Sequence, residues 1–92
     1  MAKRIRAAEE QLDRGTRLAQ ELNARRSAGG KGFARNPEHV RILEAAERLL
    51  SSARFHLESG RAEGDLDTVD RAHGEAAAAS EELYELRKRV GR

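Results

Sequence analysis

The C-terminal part of the chain, from Asp65 to Val90, carries the apolar pattern that most constrains the fold. Its apolar residues recur at alternating steps of three and four, as the a and d positions of a heptad repeat do: Val69, Ala72, Ala76, Ala79, Leu83, Leu86 and Val90. This spacing puts all seven side chains on one stripe of an α-helix. Because alanine is frequent in the stripe, a neighbouring helix can approach closely but meets little large apolar surface. The pattern therefore predicts helix packing and association, and it indicates no chemistry.

A first helix is expected over about residues 2–26, where the same spacing recurs. The residues that define its stripe are Ile5, Ala8, Leu12, Gly15, Ala19 and Leu22. Leu18 widens this stripe at one edge. Gly15 lies on it, although a mid-helix glycine costs roughly 1 kcal/mol relative to alanine. We interpret Gly15 as a point of close approach by a neighbouring backbone.

A second helix is expected over residues 37–59, after a glycine-rich loop that covers residues 27–36. Asn36 as the N-cap and Pro37 as the first helical residue predict its start, and Gly60 is the expected left-handed stop. It carries two adjacent apolar stripes, and an arc that broad predicts a helix in the middle of the packing. The first stripe contains Leu43, Ala46, Leu50, Ala53 and Leu57, and the second Ile42, Ala45, Leu49 and His56.

A third helix is expected over residues 65–90, with Asp65 as its N-cap. The link between Gly60 and Gly64 is short, so the second and third helices should pack antiparallel. The sequence thus predicts one helical domain over residues 1–92. Its fold class is all-α, either an up-down-up three-helix bundle or a helical hairpin with coiled-coil-like packing that pairs with a second copy. Leu43, Leu50, Leu83 and Leu86 are expected to be buried where the last two helices meet.

The composition favours association and excludes several classes of protein. Alanine contributes 16 residues and aromatic residues only 3% of the chain, so a lone core of this size is marginal and a homodimer is expected. There is no cysteine, which excludes disulfides and thiolate metal sites. No stretch resembles a signal peptide or a membrane span, so a cytoplasmic protein is expected. Arginine outnumbers lysine 15 to 3, a bias that we interpret as that of a GC-rich bacterial genome.

No motif predicts an enzyme, a metal site or a cofactor. The loop Gly29–Gly32 lacks the spacing and the preceding strand of a nucleotide-binding P-loop. The histidines are too few for a zinc site, although antiparallel packing would bring His56 near His73. The segment Arg71–Gly74 resembles the phosphorylated helix of histidine phosphotransfer domains, but that family's lysine and glycine are replaced by alanines at the third and fourth positions after His73. Catalytic residues are therefore not expected.

The predicted surface for a partner lies at one end of an up-down-up bundle, where the end of the first helix, the glycine loop and the end of the third helix meet. This end gathers basic and aromatic residues, which steer an acidic partner and anchor it. The candidate residues are Arg25, Arg26, Lys31, Phe33, Arg35, Tyr84, Arg87, Lys88, Arg89 and Arg92. Phe33 has a second interpretation, as a plug folded over the end of the bundle. The alternative for the whole cluster is that it only satisfies helix C-termini and stays solvated.

These patterns favour a small non-enzymatic adaptor or regulatory protein that acts through protein–protein interaction. The alternative is a nucleic-acid-binding module that uses the same basic end. The net charge of +2 does not decide between them. The sequence leaves the identity of the partner open.

Overall fold

Three α-helices make up the fold. The computed structural model describes residues 2–27 and 36–90, and within these ranges it contains α1 (Ala2–Ser27), α2 (Pro37–Glu63) and α3 (Leu66–Val90) and no strand. The molecule measures 45 × 18 × 17 Å, close to the length of one such helix at about 1.5 Å per residue. The helices therefore lie side by side along the long axis. The all-α fold and the helical bundle are confirmed.

The two predicted helix starts are confirmed by their caps. The Asn36 side chain accepts a hydrogen bond from the backbone N–H of Glu38 at 3.0 Å, directly before Pro37. At the start of α3, Asp65 Oδ1 accepts from the N–H of Asp67 at 3.1 Å. Each cap satisfies a donor that has no partner within its own helix.

The predicted end of α2 is wrong. The helix continues through Gly60 to Glu63 and ends at Gly64, whose φ of 67° is left-handed and whose N–H donates to the Gly60 carbonyl. Gly60 is instead buried against the start of α3, where a Cβ would lie 2.8 Å from Val69 Cγ2 and 3.0 Å from the Val69 backbone nitrogen. The glycine is needed at residue 60 for close packing rather than for a turn.

The buried side chains form two neighbouring clusters along the bundle. The larger contains Ala19, Leu22, Leu43, Ala46, Leu50, Ala79, Leu83 and Leu86, and the smaller contains Ala8, Leu57, Val69 and Ala72. The predicted burial of Leu43, Leu50, Leu83 and Leu86 is confirmed, and Leu18 is only partly buried.

The central helix is α3, and the expectation that the second helix would take this place is wrong. α3 packs extensively against both other helices, whereas α1 and α2 touch each other much less. The physical reason is the alanine-rich stripe of α3, which lets both neighbours approach closely. The second apolar stripe of α2 is only half covered, since Ile42 and Leu49 are partly buried and Ala45 is exposed.

Gly15 lies at a close contact, as predicted, but the neighbours are side chains rather than a backbone. A Cβ at this position would be 2.6 Å from Leu50 Cδ2 and 3.0 Å from the Ser80 hydroxyl. Ser80 is buried and donates a hydrogen bond to the Gln11 carbonyl at 3.2 Å, which joins α3 to α1. The absence of a side chain at Gly15 therefore makes room for a polar contact between helices.

Candidate functional surface

Basic side chains occupy the last turns of α1 and α3. Arg25 and Arg26 end the first of these helices, and Arg87, Lys88 and Arg89 end the other. Cations are favourable there because the unpaired carbonyl groups make a helix C-terminus partly negative. We call these five residues, together with Tyr84, the basic end.

Glu21 brings the two halves of the basic end together. Its Oε2 lies 3.3 Å from Arg87 Nη1, and its Oε1 lies 3.8 Å from Arg25 Nη2. At the other end of the same helices, Arg4 Nη1 lies 3.1 Å from Asp70 Oδ2. These contacts bring the end of α1 beside the end of α3, and the start of α1 beside the start of α3. Two of the predicted basic residues thus share one carboxylate.

Tyr84 is the exposed aromatic residue of the basic end. Its surface is 46% exposed, and the ring lies close to two cations. Lys88 Nζ is 4.6 Å from the ring centroid and Arg87 Cζ is 5.6 Å from it, both within the range of a cation–π interaction. Lys88 also pairs with Glu85 at 3.5 Å. The ring is therefore held by its neighbours and stays accessible to a partner.

The start of α2 lies next to the basic end. Asn36, Glu38 and His39 line a shallow hollow together with Lys88 and Arg89. Arg26 and Arg89 are exposed, and neither forms an ion pair with another residue of the described ranges. The remaining predicted residues lie outside the described residues: Lys31, Phe33, Arg35 and Arg92.

A groove between α1 and α3 leads away from the basic end. It is lined by Gln11, Arg14 and Leu18 of α1 and by Ala77 and Tyr84 of α3. Leu18 precedes Glu21 by three residues, just as Tyr84 precedes Arg87. Residues three apart are neighbours on a helix surface. Leu18 and Tyr84 therefore each lie about one turn before a charged residue, toward the N-terminus of the helix. The apolar pattern places Leu18 only at the edge of a core stripe and does not predict this groove.

A second polar cluster joins α2 to α3 through one carboxylate. Glu75 Oε1 lies 2.6 Å from His56 Nδ1, and Glu75 Oε2 accepts a hydrogen bond from the Ser52 hydroxyl at 2.6 Å. Burial alone would raise the pKa of Glu75, but the hydrogen bonds from Ser52 and His56 and the charges of His56 and Arg71 lower it below its ordinary value of 4.5. The partner of His56 is therefore Glu75, a contact that the sequence pattern does not predict.

This cluster differs from a catalytic triad in its connections. An ionised carboxylate only accepts hydrogen bonds, so His56 Nδ1 carries the proton that it donates to Glu75. Ser52 also donates to Glu75, and its hydroxyl lies 3.4 Å from that same Nδ1. In a triad the serine bonds to Nε2, which acts as the base. The cluster is a bridge between two helices, and it does not activate Ser52.

Phe55 is an exposed aromatic residue of α2. Its surface is 67% exposed, and its ring meets the edge of His56 at a centroid distance of 5.7 Å. It lies on α2, away from the basic end. In the part of the chain that the structure describes, no group of three or more metal-ligating side chains is present.

Comparison of this chain with protein-family models, with curated proteins and with solved structures finds no match. Within residues 2–27 and 36–90, none of the helices has both the length and the apolar character needed to cross a membrane.

Proposed function

We propose that this chain is a small non-enzymatic adaptor or regulatory protein that binds an acidic surface of another protein through its basic end. We take the three helices as an up-down-up bundle in a cytoplasmic homo-oligomer. In that arrangement the two basic helix ends lie at the same end of the bundle, beside the start of α2.

The observation that carries this proposal is the exposed ring of Tyr84 with the cations of Lys88 and Arg87 close to it. Tyrosine and arginine are enriched among the residues that contribute most to protein interfaces, because they combine large contact area with polar groups. Clustered cations add electrostatic steering toward an acidic surface. A partner would thus gain an aromatic anchor and complementary charge at the same place.

A nucleic acid is the alternative partner, since an exposed aromatic ring beside cations also suits base stacking and phosphate contacts. The carboxylates of the basic end argue against it. Glu21 lies between Arg25 and Arg87, and Glu85 pairs with Lys88. Phosphates would meet these negative charges, whereas a protein surface can place its own cations and apolar groups beside them. A protein is therefore the favoured partner.

The test is a triple charge reversal that leaves the bridge through Glu21 intact. Arg26→Glu, Lys88→Glu and Arg89→Glu are combined, and the fold is checked by circular dichroism. The matched control reverses three exposed basic residues outside the basic end, namely Lys3, Arg6 and Arg54. Each protein is then purified with its bound partner from the native host.

We expect the basic-end variant to lose the partner that the parent and the control variant retain. If the basic-end variant keeps its partner at full affinity, the basic end is only a solvated helix terminus and the proposal fails. A partner that is nucleic acid would instead show a steep salt dependence, with a log–log slope near 0.9 for each duplex phosphate neutralised. That result would favour the alternative function.

A further inference from the structure

We propose that Glu21 is an internal competitor within the basic end, and that the ligand it imitates is a carboxylate of an acidic peptide with an apolar side chain close by. This inference rests on the proposed function, because it names the partner chemistry of the same surface.

The Glu21 carboxylate lies within ion-pair distance of two guanidinium groups, one on its own helix and one on α3. Arg87 Nη1 approaches Oε2 to 3.3 Å, and Arg25 Nη2 lies 3.8 Å from Oε1. Both arginines belong to the basic end, so the surface that would attract an acidic partner already contains a carboxylate. An incoming carboxylate that uses these two arginines must displace Glu21.

The displacement is inexpensive because the three side chains are only partly covered. Their exposed fractions are 41% for Glu21 and 42% for both Arg25 and Arg87. Ion pairs with this exposure contribute little to stability, at most a factor of about five each in an equilibrium constant. The contact to Arg25, at 3.8 Å, is also too long for a hydrogen bond. Glu21 therefore weakens binding of an acidic ligand without blocking it.

The groove beside Glu21 indicates the rest of the ligand. Leu18 is partly buried and Tyr84 is partly exposed, and they line the groove one turn below Glu21 and Arg87, respectively. A peptide that places a carboxylate at Glu21 would lay a neighbouring apolar side chain against Leu18 and Tyr84. A nucleic acid could stack a base on Tyr84, but its phosphates would meet the carboxylate of Glu81, which lines the same groove.

The experiment measures the affinity of a fluorescein-labelled peptide of 12 residues (about 18 Å if helical) that contains glutamate and leucine. A second peptide with glutamine in place of glutamate, and a labelled DNA duplex, serve as comparison probes. Fluorescence anisotropy gives Kd for the parent, Glu21→Gln, Arg87→Gln and the matched control Asp70→Asn. Asp70 pairs with Arg4 at 3.1 Å, so the control removes the same charge from an exposed pair that also joins α1 and α3. Asp70 lies at the start of α3 and does not line the groove that contains Leu18, Glu21 and Tyr84.

We expect Glu21→Gln to bind the acidic peptide about 2- to 10-fold more tightly than the parent, since each exposed pair is worth up to a factor of about five. Asp70→Asn should match the parent, Arg87→Gln should bind more weakly, and the glutamine peptide should not distinguish the variants.

Three results would overturn the inference. If Glu21→Gln binds like the parent while Arg87→Gln binds more weakly, Glu21 is no competitor, although the basic end remains a binding surface. If the parent prefers the duplex to the acidic peptide, the ligand chemistry is wrong. If Arg87→Gln binds the peptide as tightly as the parent does, the two arginines do not receive the ligand. Failure of the proposed function itself is recognised separately, by partner retention in the triple charge-reversal variant.

Discussion

Replacing Gly60 by alanine should destabilise the fold, although alanine is the better helix former. A Cβ at this position would lie 2.8 Å from Val69 Cγ2, 3.0 Å from the Val69 backbone nitrogen and 3.1 Å from the Asp65 carbonyl oxygen. Two of these atoms belong to the backbone at the start of α3. They cannot move aside as the end of a flexible side chain can, so α2 and α3 must separate.

The magnitude follows from two opposing contributions. Alanine gains up to about 1 kcal/mol over glycine in a helix interior, and less here because Gly60 lies four residues before the C-cap Gly64. Overpacking of a close contact costs about 1–3 kcal/mol. We expect a net loss of about 1–2 kcal/mol in the free energy of unfolding. At about 4–8 °C per kcal/mol for a domain of this size, the Tm should fall by about 4–16 °C.

The assay is thermal and urea unfolding followed by circular dichroism, with Gly74→Ala as the control. Gly74 is exposed and within α3, and a Cβ there would meet nothing within 4 Å. The control should therefore gain about 0.5–1 kcal/mol, and its Tm should rise by about 2–8 °C. In a background that carries Val69→Ala, Gly60→Ala should cost less stability than it does in the parent, because one of the three close contacts is absent. If Gly60→Ala melts at or above the temperature of the parent, the close crossing of α2 and α3 at Gly60 is wrong.

Three further predictions follow from the core, the polar bridge and the composition. Truncation of Leu50 or Leu83 to alanine should each cost about 2–5 kcal/mol in urea unfolding, and truncation of the half-buried Leu18 should cost less; parent-like melting of the first two would contradict the helical register. The folded protein lowers the pKa of Glu75 below its ordinary value of 4.5. Ionised Glu75 therefore stabilises the fold above pH 4.5, and this stabilisation is lost as the pH falls through the folded-state pKa. Glu75→Gln should therefore lower the free energy of unfolding by about 1 kcal/mol near neutral pH, and the difference from the parent should shrink in acid. A difference that does not change with pH would show that ionisation of Glu75 is not the cause. Finally, sedimentation at about tens of micromolar should show a dimer, as the alanine-rich core and the exposed Phe55 suggest, and a well-folded monomer there would contradict self-association.

The sequence predicted those features of the fold that depend on local chemistry. The stripe of α3, the caps at Asn36 and Asp65 and the burial of the large leucines each follow from spacing or from one side chain near a helix start. Gly60 was misassigned because a glycine has the same local signature at a helix end and at a close crossing. Only the contact with Val69, on another helix, distinguishes the two.

The number and size of the apolar residues in each helix did not predict that α3 is the central helix. α2 has the broader apolar arc and the larger side chains, and this pattern suggested the middle position for it. Small residues decide the matter instead, because Ala72, Ala76 and Ala79 are all buried and keep neighbouring helices close. An arc of large residues can remain half exposed, as Ile42 and Leu49 do.

The candidate surface is harder to predict from the sequence than the fold, because the same basic residues can stabilise helix ends and bind a partner. Basic residues at the ends of α1 and α3 are what the helix termini alone favour, and packing the end of α1 beside the end of α3 gathers them into one cluster. The carboxylate of Glu21, 66 residues away from Arg87 in sequence, offsets part of that charge, and only the pairing of the two helices reveals it. Helix termini do not require an aromatic ring close to two cations, and they do not require a groove that an apolar side chain lines one turn earlier in the helix. Tyr84 and Leu18 are therefore the residues whose substitution separates a binding surface from a solvated helix end. Alanine at both positions should weaken partner binding while the basic charge and the helix termini stay unchanged.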